Sequence, residues 1–154
     1  MSHYAMVVDT MLATPHSLTA GSGAAGGMGY AITALLGAHL RPGIELVLEM
    51  IGFEQAIENA DMIVTGEGAI DSQTLHGKAP AGVLHAAMRN NKPTIALGGR
   101  VVMSQELLAG GFEAIYAITP EAMPTAEAML SATAQRNMEA AAQRVIAEWE
   151  AKHE

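Results

Sequence analysis

Two carboxylates, a lysine and a set of glycines crowd into Thr65–Pro80, which reads TGEGAIDSQTLHGKAP. Gly66 and Gly68 flank Glu67, Asp71 follows, hydroxyls stand at Thr65, Ser72 and Thr74, and the stretch ends in His76-Gly77-Lys78. Glycines let a backbone approach an anion closely and offer it N–H groups. A lysine neutralises phosphate, and carboxylates hold Mg²⁺ or take a proton. Together these are the parts of a phosphoryl-transfer site. Glu67 sits between two glycines with little local structural reason, which favours a functional role. Asp71 suits Mg²⁺ ligation or general-base work, and equally a turn cap, because Asp-Ser-Gln favours Asx turns. Lys78 falls at a helix start, where the positive end of the dipole disfavours a cation, so a ligand role is the better reading.

A second glycine cluster precedes it. Gly21-Ser22-Gly23-Ala24-Ala25-Gly26 satisfies G-x-G-x-x-G, followed by Gly27 and Gly29. A dinucleotide fingerprint must follow a strand directly, whereas here Thr14-Pro15-His16-Ser17 comes first, so NAD is a poor expectation. The small residues Gly21, Gly23, Gly26 and Gly27 can still expose N–H groups to an anion, or simply permit a tight turn. The Thr65–Pro80 segment is no Walker A loop either: Ala79 follows Gly77-Lys78, and Ser72 stands where the first glycine would be. The six histidines do not fall at metal-ligand spacing, with His76 singled out because it lies in the segment. Gly98-Gly99-Arg100 puts a guanidinium after an expected strand, either as an anion clamp or as a surface arginine.

The elements that must hold these residues alternate. Met62–Thr65, Thr94–Leu97 and Ala114–Ile118 read as short buried strands, and Ala79–Asn91 and Ser104–Ala109 as the helices between them. Thr65 to Pro80 is thereby expected to be a loop at a strand end, the place where open α/β sheets bind ligands. Before them come helices over Met1–Leu12, Tyr30–Leu40 and Ile44–Ile51, with another turn or two over Glu54–Asn59. One long helix is expected from about Thr125 to Trp149. Its stripe of Leu130, Ala134, Met138, Ala141, Val145 and Trp149 packs on the sheet, with Trp149 as an alternative subunit contact. The fold class is α/β: a partial three-layer sandwich, its sheet mostly parallel, with a long C-terminal helix.

Composition narrows the function. The chain has 154 residues, half of them hydrophobic and 16% charged, which is too apolar for a disordered segment. A net charge of −8 with eight scattered cationic residues argues against nucleic acid, though not against a nucleotide held by local groups. No cysteine is present, so disulfides and thiolate metal sites are excluded. No stretch approaches the roughly 18 apolar residues of a membrane span, and the N-terminus does not read as a signal peptide. A cytoplasmic protein is expected.

These residues together resemble bacterial glycerate kinases, in their C-terminal portion. The matching segments are Ser2-His3-Tyr4-Ala5, Gly21–Gly29, Leu40-Arg41-Pro42-Gly43-Ile44-Glu45, Thr65-Gly66-Glu67-Gly68, Ile70-Asp71-Ser72-Gln73 and His76-Gly77-Lys78. The joint occurrence of the glycine cluster and the TGEG-x-IDSQ-x-x-HGK run is far more specific than either alone. The chain differs from the family pattern at Ala69, where relatives usually carry arginine, at Ser22 and at Gly99-Arg100.

The resemblance implies a fold of two α/β domains with the site in the cleft between them. It implies ATP and Mg²⁺ as cosubstrates, and phosphorylation of D-glycerate to 2-phosphoglycerate. Glu67 and Asp71 would hold Mg²⁺ or orient the glycerate hydroxyl, and Lys78 would neutralise the phosphate in transfer. Gly21, Gly23, Gly26, Gly27, Gly66 and Gly68 would offer backbone N–H groups. Residues 1–20 are expected as an N-terminal helix and linker, and 21–154 as the α/β part. The alternative is a truncated, inactive fragment or a split-enzyme half that associates with an N-terminal portion, or a homo-oligomer. A different small-molecule kinase built on the same half-fold is a third reading.

Overall fold

The computed structural model describes residues 2–12 and 15–153, the His153 side chain excepted; Met1 and Thr14, named in the expected first helix and its break, lie outside the described residues. The chain packs as two compact units, Met1–Pro42 and Gly43–Glu154. A boundary after residue 20 therefore falls inside the first unit.

In the first unit, helix α1 (Ser2–Leu12) and helix α2 (Met28–Leu36) share one apolar cluster of Ala5, Val8 and Tyr30, with Ala34 against it. Between them a short 3-10 turn, Ala24–Gly27, reverses the chain. The turn needs left-handed backbone at Gly26 and Gly27, φ 66° and 101°, which glycine adopts without steric cost. The second helix ends at Leu36, short of the expected Leu40. Gly37 adopts the left-handed cap, and its N–H bonds back to the Ile32 and Thr33 carbonyls.

The second unit opens with helices α3 (Gly43–Met50) and α4 (Phe53–Ala56). Three strands follow, β1 (Ile63–Ile70), β2 (Thr94–Val101) and β3 (Ala114–Ala117), all parallel and paired in chain order. Helix α5 (Ala79–Arg89) and helix α6 (Gln105–Ala109) are the crossovers. One sheet face packs on them: Ile63 meets Ala87, and Ala96 meets Leu107. On the other face Ile95 and Leu97 meet Val145 of the C-terminal helix. That is the expected α/β sandwich, with helices on both sides of a parallel sheet.

Two strands run further than their apolar stretches suggest. The first continues through Thr65-Gly66-Glu67-Gly68 to Ile70, and the second through Gly98-Gly99-Arg100 to Val101. The expected loop at Thr65–Gly68 and the expected strand end at Leu97 are thus both corrected. The glycines are the reason. A Cβ on Gly66 would stand 2.3 Å from the Leu97 carbonyl oxygen, and one on Gly99 2.5 Å from that of Gly68. Here glycine permits close strand contact instead of a turn.

The C-terminal segment is also not one helix. It is a single turn, α7 (Thr125–Ala128), then α8 (Ser131–His153), with Met129-Leu130 between them. Of the predicted stripe, Ala141 and Val145 are buried and Trp149 packs, half-buried, against the Ile95–Leu97–Val145 cluster. Leu130 and Met138 are exposed. Tyr116 donates to Glu148 at 2.5 Å, and Arg144 lies over the Tyr116 ring, tying α8 to β3.

Candidate active site

The register of β1 places Glu67 opposite Gly98, on the face covered by α5 and α6. Past Ile70 the chain turns at Asp71 into a 3-10 turn, Ser72–Leu75. Asp71 caps it: Oδ1 accepts from the Gln73 N–H at 2.9 Å, and the Asp71 N–H donates to Thr74 Oγ1 at 3.1 Å. This is a capping box with threonine in the third position. His76 fastens the end of the turn, its Nδ1 2.9 Å from the Ser72 carbonyl and its Nε2 3.5 Å from Glu106 on α6. Lys78 is then the N-cap residue of α5.

These local choices bring three of the predicted site residues together. Lys78 Nζ stands 3.8 Å from Glu67 Oε1 and 3.8 Å from Asp71 Oδ1. The side chains are 21% (Glu67), 33% (Asp71) and 36% (Lys78) exposed, open to a ligand yet partly shielded from water. At that exposure the ion pairs themselves contribute little to stability. Their value is placement: two carboxylates converge on one cation. The start of α5 adds the positive end of its dipole, which favours anions at this spot.

Thr74 is the residue that sequence reasoning passed over as one hydroxyl among three. It is fully buried, and its Oγ1 donates to Glu67 Oε1 at 2.5 Å, the short range of a hydroxyl bonded to a carboxylate. The D-x-x-T spacing of a capping box was the signal that could have found it. Asp71 proves to be a cap, the second of its sequence readings, and its side chain also pairs with Lys78.

Gly66 and Gly68 are strand residues, which corrects their reading as loop residues. Arg100 is exposed at the end of β2 rather than in a loop beyond it. Gly21, Gly23, Gly26 and Gly27 belong to the first unit. There Ser22 is buried, with its Oγ bonded to the His16 carbonyl at 2.9 Å. Nearby, Asp9 accepts from the Tyr30 hydroxyl at 2.7 Å and from the His16 N–H at 3.0 Å, a pairing with no sequence signal. A groove of about 460 Å³ lies over these residues, lined by Asp9, Ser22, Gly23 and Tyr30 among others.

Among the described residues no set of three or more His, Cys, Asp or Glu side chains converges to hold a metal. Glu67 and Asp71 are a pair. That donor set fits Mg²⁺, which commonly takes one or two carboxylates and completes its shell with water and phosphate oxygens. Nor is any described helix long and apolar enough to cross a membrane.

Comparison with known proteins bears on the same residues. The sequence profile of the glycerate kinase family matches residues 1–150. A glycerate kinase of Bacillus cereus is 41% identical over 150 residues, 97% of this chain and 39% of its own length. The glycerate 2-kinase of Escherichia coli is 40% identical over 119 residues, 77% of this chain and 31% of its own length. A crystal structure of a candidate glycerate kinase 2 from Salmonella typhimurium superposes on 99% of this chain and 38% of its own, with a TM-score of 0.67 and 36% identity. The chain thus spans 31% to 39% of the length of these relatives. With its profile match running through both the glycine turn and the Glu67–Lys78 cluster, the chain belongs to the glycerate kinase family.

Proposed function

We propose that this chain contributes one side of an ATP-dependent glycerate kinase site, forming 2-phosphoglycerate from D-glycerate. The observation that carries the proposal is the convergence of Glu67 and Asp71 on Lys78, at the start of α5, in a chain of this family. Phosphoryl transfer asks for positioning and charge neutralisation more than covalent chemistry. Glu67 and Asp71 would hold Mg²⁺, which would supply positive charge against the phosphate. Lys78 supplies a point charge for the phosphoryl group in transit. The glycerate 2-hydroxyl oxygen forms the new bond to the γ-phosphorus while the bond to the ADP oxygen breaks. The hydroxyl proton passes to one of the two carboxylates. In the same reading the glycine turn at Gly21–Gly27 offers N–H groups to an anion, and the protein works in the cytoplasm.

The test is glycerate-dependent ADP release by the purified chain with Mg²⁺. Release that requires both glycerate and Mg²⁺ supports the reading; its absence removes unaided activity.

A second reading is favoured by the 39% coverage of the Bacillus cereus relative and by the exposure of Val64 on β1, an edge strand. In it the site is completed by association with a further polypeptide matching the part of the relatives that this chain does not cover. An exposed edge and apolar side chains favour such pairing. Adding that part of the Bacillus cereus enzyme, made separately, should then switch on ADP release. Continued silence of the mixture would leave an inactive member of the family.

A further inference from the structure

We propose that Thr74 is a positioning residue, whose hydroxyl holds the Glu67 carboxylate and the Asp71 backbone in one arrangement so that both acids face the same cation. This rests on the kinase reading above and adds to it a residue too deeply buried to meet a ligand. A hydroxyl has one proton and two lone pairs. Thr74 Oγ1 accepts from the Asp71 N–H at 3.1 Å, so its own proton is left to point at Glu67 Oε1, 2.5 Å away. A cap alone would need only the accepting half. The donating half reaches a carboxylate on the preceding strand and fixes which oxygen faces Lys78, since the same Oε1 stands 3.8 Å from Nζ. The chain from Asp71 N–H through the Thr74 hydroxyl to Glu67 also polarises in one direction, which strengthens each bond. One buried atom therefore holds the Glu67 carboxylate and the Asp71 backbone, while the Gln73 N–H holds the Asp71 carboxylate.

The probe is manganous ion alone, titrated into wild type, Thr74→Val, Thr74→Ser and Glu67→Gln, with thermal unfolding of each protein. Glycerate-dependent ADP release is recorded on the same samples, with the complementing polypeptide present if activity requires it. Valine keeps the shape and removes both hydrogen bonds; serine keeps both. Groups that orient a metal's ligands commonly account for about tenfold to a hundredfold in affinity or activity. Thr74→Val is accordingly expected to weaken Mn²⁺ binding about tenfold or more. It should lower kcat by a similar factor and leave the KM for glycerate within about twofold, while Thr74→Ser recovers both.

A Thr74→Val protein that unfolds earlier yet binds Mn²⁺ and turns over like wild type would overturn the proposal and leave Thr74 a cap only. Should Thr74→Val not fold, the wild type decides. Its Thr74 hydroxyl proton should shift in the NMR spectrum when Mg²⁺ is added, and a resonance unmoved at saturation overturns the proposal. Loss of the ion in Glu67→Gln but not in Thr74→Val rejects the positioning role alone. Equal binding by wild type and Glu67→Gln rejects the kinase site and this proposal together.

Discussion

The two glycine-rich regions look alike in sequence and are built on opposite principles. Around Gly21–Gly29 the glycines serve the turn, taking left-handed backbone at Gly21, Gly26 and Gly27. The polar side chains beside them, Ser22 and Asp9, are bonded to neighbouring groups of the same unit. Around Gly66–Gly68 the glycines lie in extended strand, and Gly66, with Gly99 on β2, lets the two strands approach. The charged side chains there converge on one another and stay partly open to solvent. Glycine content alone therefore does not mark a phosphate site. The feature that separates the regions is where ionisable side chains are held by a buried partner and still face outward.

Substitution should separate the regions most sharply at their glycines. Gly66→Ala puts a methyl group 2.3 Å from a backbone oxygen that cannot move without breaking the sheet. A loss of about 3 kcal/mol is expected in denaturant unfolding, at the upper end of overpacking costs. A loss under about 1 kcal/mol would show that the strands separate easily, and would return Gly66 to the loop reading.

Acid and alkali should act on the first unit through Asp9 and Tyr30. The His16 N–H, followed by the Tyr30 hydroxyl, holds the Asp9 carboxyl below its ordinary 3.8. A depressed carboxyl adds stability that is present above 3.8 and is lost as pH falls through the lower folded value. Burial, then the hydrogen bond to Asp9, pushes Tyr30 up to about 12. A raised phenol adds stability that is complete below 10.0 and is lost as pH rises through about 12. Melting temperatures followed across pH should show both losses in wild type, with the acid loss absent in Asp9→Asn. Superimposable profiles would mean that the pairing does not hold the unit together.

The smallest effect belongs to Gly23→Ala. Gly23 has an ordinary φ of −76° and open space where a Cβ would stand, so stability should change by no more than about 0.5 kcal/mol. A large loss there would mean that the turn is packed more tightly than its geometry shows.

Much of this was legible in the sequence where periodicity and stops were strong. Alternating apolar runs and glycine stops gave three parallel strands with helices between them, and Ile44, Val47, Leu48 and Ile51 on one face marked the third helix. The cluster of Glu67, Asp71 and Lys78 was legible from residue type and spacing. What escaped was decided by tertiary contact. Glycine normally weakens a strand, yet Gly66 and Gly99 continue theirs because the facing backbone leaves no room for a Cβ. Helix propensity continues through Leu40, but the left-handed Gly37 closes α2 first. Thr74 and Tyr30 matter through partners that lie on other elements, which no local pattern displays.

Glu67 and Asp71 are expected to act together with Lys78 toward a magnesium nucleotide. Calorimetric titration of ATP with Mg²⁺ into wild type and into Asp71→Asn tests this most directly, with unfolding of both proteins as the control for structure. The expected result is Mg²⁺-dependent binding in wild type, weakened about tenfold or more in the variant at nearly unchanged stability. Equal binding by the two proteins, with or without Mg²⁺, would contradict it.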